Sequence, residues 1–206
     1  ARTSTLTHSL THSHARTSTL TRTTCGHQCM DLYRPEKWAV TADRDGLVHL
    51  ANYMTREVLW TAETSREPKV SRFSPDGSKI VLAGELAVTV LLSNDGSEFA
   101  RFSDHSARIN DAIFFSDARI VTSSEDRRVH VYDLEEKKLQ ARLVGHGSGV
   151  AKVCRYGEDR ILSMCHDGDV RCWDLQLAVK TATEAPQYYH RNLVYHVRCV
   201  AGRVCV

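Results

Sequence analysis

The 206-residue chain repeats itself at an interval near 41 residues, and no other feature restricts its fold as tightly. Anchored on Asp126-Arg127-Arg128-Val129-His130-Val131-Tyr132-Asp133, a related run, Asp167-Gly168-Asp169-Val170-Arg171-Cys172-Trp173-Asp174, follows 41 positions later. Residues 85–92 match 41 positions earlier, and residues 45–52 a further 40 before those. In register, the first column holds Asp45, Glu85, Asp126 and Asp167, the fourth Val48, Val88, Val129 and Val170, and the sixth Leu50, Val90, Val131 and Cys172. An acid opens each turn and apolar residues then alternate with variable ones. That period of two is the signature of a β-strand, not the three-to-four spacing of a helix.

A second apolar run lies upstream of each acid, as Trp38-Ala39-Val40, Lys79-Ile80-Val81, Arg119-Ile120-Val121 and Arg160-Ile161-Leu162, so each unit contains a hairpin. Further upstream come Val70-Ser71-Arg72-Phe73, Ile109-Asn110-Asp111-Ala112 and Val150-Ala151-Lys152-Val153, and after Asp133 a fourth run at residues 139–144. Four short strands make a sheet too small to bury both faces alone, so neighbouring units must stack face to face. The expected fold is all-β, a β-propeller of four-stranded antiparallel blades.

These residues resemble the WD-repeat propellers, most closely in Gly145-His146 followed by Trp173-Asp174 and in Asp104-His105 followed by Tyr132-Asp133. The resemblance runs over residues 26–206, as four repeats and the start of a fifth at 194–206. It implies a structural hydrogen-bonded chain in each blade, made by His105, Ser124, Asp126 and Tyr132 in unit three and by His146, Asp167 and Trp173 in unit four. There Cys165 stands where unit three has Ser124, and since a thiol is the poorer donor, unit four is expected to lean on Ser163. Units one and two depart further, with Ala51 and Leu91 in the aromatic column. Seven blades of this length would need about 300 residues, so an incomplete propeller with open sheet faces is expected, stopping mid-blade and melting with low cooperativity.

Residues 1–25 read as a disordered, low-complexity leader in which residues 1–7 recur as 15–21; Arg2, Arg16 and Arg22 supply charge with no acid to match. With a formal net charge of +2, the body is nearly neutral and carries no concentrated basic surface. Seven scattered cysteines suit a reducing compartment, hence a cytoplasmic or nuclear location, and no apolar run reaches the length of a membrane span. Ser124, His105 and Asp126 recur as repeat architecture, not as a catalytic triad, and no Gly-x-Ser-x-Gly elbow or phosphate loop is present. Neither Cys25, His27 and Cys29 nor Cys165, His166 and Cys172 has structural zinc spacing, so no enzyme activity, metal or cofactor is expected. Binding is expected at polar positions of the innermost strands, namely Arg72, Asn110, Lys152 and His196, with Arg108 just before a strand. The function this implies is a non-catalytic scaffold for other proteins within a multiprotein assembly. The alternative is a subunit of an RNA-processing or chromatin complex that meets nucleic acid only indirectly.

Overall fold

Each repeated segment forms one antiparallel sheet in the computed structural model, which describes residues 27–64, 67–184, 198–200 and 203–205. Blade one pairs β1 (His27–Tyr33), β2 (Trp38–Asp43), β3 (Leu47–Asn52) and β4 (Glu57–Glu63) in chain order. Blade two does the same with β5 (Val70–Phe73), β6 (Lys79–Ala83), β7 (Val88–Leu92) and β8 (Glu98–Phe102). Blade three contains β9 (Ile109–Ser116), β10 (Arg119–Ser124), β11 (Arg128–Asp133) and β12 (Lys138–Val144). Blade four has three strands, β13 (Val150–Tyr156), β14 (Arg160–Cys165) and β15 (Val170–Asp174). A helix, α1 (Leu175–Glu184), then stands where a fourth strand was expected, and β16 (Arg198–Val200) pairs with β17 (Arg203–Cys205) beyond it. The leader at 1–25 and His196 lie outside the described residues.

The first strands β1, β5, β9 and β13 lie side by side, and the core sits between sheets rather than within them. Strand β6 shows why: Ile80 and Leu82 join Val40, Val48 and Leu50 of blade one, whereas Val81 and Ala83 join Ile109, Phe114 and Ile120 of blade three. In β10, Ile120 faces blade two while Val121 packs with Val150, Ile161 and Trp173 of blade four. Such strands read as near-continuous apolar runs because alternating side chains enter two different cores. Blade one turns its other face outward, exposing Met30, Leu32 and Leu59, so the ring is open among the described residues.

Turns repeat with the blades. Gly46, Arg127 and Gly168 occupy equivalent hairpin positions at φ 93°, 68° and 85°, a left-handed conformation that costs a side-chain-bearing residue about 1 kcal/mol or more. The sequence thus places arginine where two sister blades use glycine. Blade contacts exploit small residues too: the Tyr33 ring lies where a Cβ on Gly77 would stand, and its hydroxyl donates to the Asp76 carbonyl at 3.0 Å.

The helix in blade four grows from a device its sisters use to turn. Asp133 ends β11 and accepts from the N–H groups of Glu135 and Glu136 at 2.9 and 3.0 Å, and the loop then closes through Lys137 at φ 50°. Asp174, 41 positions on, keeps the contact three residues ahead, accepting from the Leu177 N–H at 3.0 Å, and here it caps a helix. Leu175-Gln176-Leu177-Ala178 come next, all good helix formers, and α1 lies against β12 with Leu175 and Ala178 buried.

Candidate functional site

Two features of the blades bring polar side chains together: the hydrogen-bonded chains behind the hairpin turns, and a charged seam along the innermost strands. In blade three the Asp126 carboxylate accepts from Nδ1 of His105 at 2.7 Å, and His105 Nε2 meets Oγ1 of Thr122 at 2.8 Å. His105 and the Asp126 carboxylate are buried. Burial alone would raise the Asp126 carboxyl, but the bond and charge of His105 and the N–H groups of Ser106 and Arg128 outweigh it and hold it down at about 2. The hydroxyl in this chain is thus Thr122 and not Ser124. Ser124 serves the turn, donating to the Ala107 carbonyl at 3.0 Å and accepting from the Asp126 N–H at 3.1 Å. Tyr132 reaches His130, whose Nδ1 is 3.2 Å from its hydroxyl, and stacks on Phe102 with centroids 4.4 Å apart. His130 itself lies parallel to His105 with ring centroids 3.8 Å apart; burial first, and then His105, push it down to about 3, so it is neutral.

Blade four keeps three of these positions, since His146, Ser163 and Trp173 follow His105, Thr122 and Tyr132 by 41 residues, and differs at the acid. Nε2 of His146 is 2.6 Å from Oγ of Ser163, which also accepts from Nε1 of Trp173 at 2.7 Å. Asp167 does not reach His146: its carboxylate takes the Cys165 thiol at 2.6 Å, and the carboxylate nearest His146 Nδ1 is Asp169, at 3.8 Å. Burial, with Arg171 adding to it, pushes His146 down to about 4.

Along the innermost strands, Asp31 and Arg72 hold one level of the register, opposite Val40 and Val81, and Asp111 and Lys152 hold the level two residues away, opposite Ser123 and Met164. Asp111 is the centre of the seam. Its carboxylate is 2% exposed and lies 3.6 Å from an Arg72 Nη and 3.7 Å from Lys152 Nζ, whose side chains are 44% and 61% exposed. It also accepts from the Val153 N–H at 3.4 Å, just as Asp31 accepts from the Phe73 N–H at 2.8 Å, so each acid pins the first strand of the next blade. Above them runs a groove of about 280 Å³, lined by Gln28, Cys29, Met30, Arg72, Asp111 and Lys152 among others.

Arg108 and Asn110 are placed elsewhere, at the hairpin ends of the blades. Arg108 lies 3.7 Å from Glu67, which Arg44 also holds at 2.9 Å; Asn110 donates to Glu125 at 2.8 Å and to the Val150 carbonyl at 2.9 Å. Glu125 in turn meets His166 Nε2 at 2.8 Å, and the Asn110 and His166 bonds lower its carboxyl. Three acids that organise this surface, Asp111, Glu67 and Glu125, escaped the sequence reading. For Asp111 a signal existed: an acid inside an otherwise apolar strand must be paired to be tolerated.

Comparison with known proteins agrees with the fold. Residues 96–133 match the family model described as WD domain, G-beta repeat. Over 159 residues the chain is 27% identical to Periodic tryptophan protein 2 of Saccharomyces cerevisiae, covering 70% of this chain and 17% of that protein. Among solved structures, the RRP9 WD40 repeats superpose with a TM-score of 0.69 at 17% identity, covering 76% of this chain and 50% of that one. U3-55K gives the same TM-score and identity over 76% of this chain and 51% of its own. The chain therefore spans about half of those solved chains and a much smaller part of the curated relative.

Proposed function

We propose, from the premise that this chain belongs to the WD-repeat β-propellers, that it is a non-catalytic scaffold holding other proteins within a multiprotein assembly. The observation that carries this is the inner seam. Arg72 and Lys152 are fixed by a buried acid yet remain half-exposed beside a groove with Met30 and Cys29 in its wall. Rigid, partly solvated cations with apolar stems give a partner both contact area and a charge pattern to read, at little ordering cost. The polar chains of blades three and four serve a different end. Most of their donors and acceptors bond one another inside the blades, as in a structural device. The leading partner class is protein, and the expected location is cytoplasmic or nuclear; among the described residues no helix is long and apolar enough to cross a membrane.

The finer reading, a subunit of an RNA-processing or chromatin complex that meets nucleic acid only indirectly, is supported by a net charge of only +2, too small for a chain that grips phosphates itself. Affinity capture of the full chain from cells with crosslinking mass spectrometry tests both readings. The scaffold reading expects reproducible protein neighbours crosslinked near Lys152 and lost on combining Arg72→Glu with Lys152→Glu; capture unaffected by that pair would remove the seam as the docking face. Retention of RNA that falls steeply with added salt, and survives removal of the protein neighbours, would overturn the indirect reading.

A further inference from the structure

Blade four contains an arrangement that its sister blade lacks. His146 Nδ1, Cys165 Sγ and a carboxylate oxygen of Asp169 all lie within 4.8 Å of one another behind the β14–β15 turn. The His146 side chain is fully buried, and its Nδ1 has no hydrogen-bond partner. A buried ring nitrogen left without a partner is costly, so a group that would engage it is worth seeking. His105, Asp126 and His130 sit equally close in blade three, where His130 Nε2 is also without a partner, but that group offers no thiol and both nitrogens of His105 are already bonded, to Asp126 and Thr122.

We propose that His146, Cys165 and Asp169 form a binding site for a borderline-soft divalent cation, zinc by preference. The donor set is imidazole, thiolate and carboxylate, the three ligand types that zinc takes. The supporting contacts fit as well. Ser163 Oγ has lone pairs enough to accept from both Trp173 Nε1–H and His146 Nε2–H, which leaves Nδ1 as a lone pair directed at the other two ligands. Asp167, bonded to the Cys165 thiol at 2.6 Å, is placed to take the proton that the sulfur gives up when the metal–sulfur bond forms, before its release to solvent. Arg171 holds Asp169 at 2.7 Å and orients it. The charges of the thiolate, both carboxylates, the guanidinium and a divalent ion cancel. Tetrahedral zinc ligands stand roughly 3.3–3.8 Å apart, so with every pair here within 4.8 Å none has to close by more than about 1.5 Å on binding.

Titration of the full chain with Co²⁺ alone, followed by displacement with Zn²⁺, reads the site through its thiolate-to-cobalt absorption. The expected result is one equivalent showing that band, bleached by zinc, with the band absent in Cys165→Ser. Asp169→Asn should weaken binding by at least ~10-fold. Cys165→Ser installs the residue that blade three carries at the same position, Ser124, and unchanged circular dichroism would verify its fold. Histidines at 8, 12 and 14 add no thiolate band and the same background in every variant. No thiolate band in the wild-type chain, an equal band in Cys165→Ser, or undiminished affinity in Asp169→Asn would each overturn the three-ligand site.

Discussion

Blades three and four carry related side chains at the same positions of the repeat and bond them differently. In blade three the turn acid Asp126 points inward and closes on His105; in blade four the equivalent Asp167 turns to Cys165 and leaves His146 with one bonded nitrogen. The difference traces to residue 124 against residue 165. A serine hydroxyl both donates to the Ala107 carbonyl and accepts from the Asp126 N–H, which frees the acid for the histidine. The thiol, a weak acceptor, instead donates its S–H hydrogen bond to Asp167. A conservative-looking change at a hairpin turn thus redirects a carboxylate and decides whether a buried imidazole is satisfied.

The comparison is broken most forcefully at the two acids. Asp126→Ala removes one member of a buried pair and is expected to cost about 3–5 kcal/mol by chemical denaturation. Asp167→Ala, at an exposed position, should leave the melting temperature within error of wild type; equal losses would show that the two turns do the same job. Next come the hydroxyls. Ser163→Ala strands both Trp173 Nε1 and His146 Nε2 and should cost ~2–3 kcal/mol, whereas Thr122→Val should cost ~1–2 kcal/mol, because His105 keeps Asp126.

Acid sharpens the contrast further. His130 and His146 are held neutral with folded values of about 3 and 4, while unfolded histidine protonates near 6.5. The unfolded chain therefore binds more protons below pH 6.5. Their contribution is fully present above that pH and is lost as pH falls toward 4 for His146 and 3 for His130, at up to about 1.4 kcal/mol per pH unit for each. Asp126, lowered to about 2, adds a second loss only as pH falls below its unfolded value near 3.9. Denaturation midpoints across pH 7 to 4.5 should fall accordingly, and His130→Phe should remove roughly half of the slope. The smallest effect lies at the hairpin tips: Arg127→Gly should stabilise by about 0.5 kcal/mol through relief of its positive φ, and Gly168→Ala should destabilise by about 1 kcal/mol.

The strands were legible because two sheet faces and a fixed repeat leave few registers open. The hairpins β2–β3, β6–β7, β10–β11 and β14–β15 fall on the columns that open with Asp45, Glu85, Asp126 and Asp167. Thr122 was not legible in the same way. It sits two residues from Ser124 on one strand, so both side chains emerge on the same face, and the pointer to it lay in the other unit, where Ser163 stands 41 residues on. Helix α1 was masked by the repeat itself, since Asp174 fits the column of Asp133 whether it begins a turn or caps a helix. The signal lay four residues downstream, where Ala178 replaces Lys137 and joins Leu175 on one buried helix face. For Arg72 and Lys152, the strand was visible but the partner was not, because pairing with Asp111 joins three blades and no single repeat contains it.

Asp31 and Asp111 each reach one blade forward along the chain, to the N–H groups of Phe73 and Val153. These two ties join blade one to two and blade three to four, while between blades two and three Asp111 meets the half-exposed Arg72 guanidinium at 3.6 Å. Along the innermost strands the fastenings are therefore of two kinds: a carboxylate on a backbone donor between blades one and two, a pair of charged side chains between two and three, and both together between three and four, where Lys152 joins Asp111. Added salt screens a charged pair with an exposed partner more than a bond to a backbone N–H, so ionic strength acts first on the middle seam.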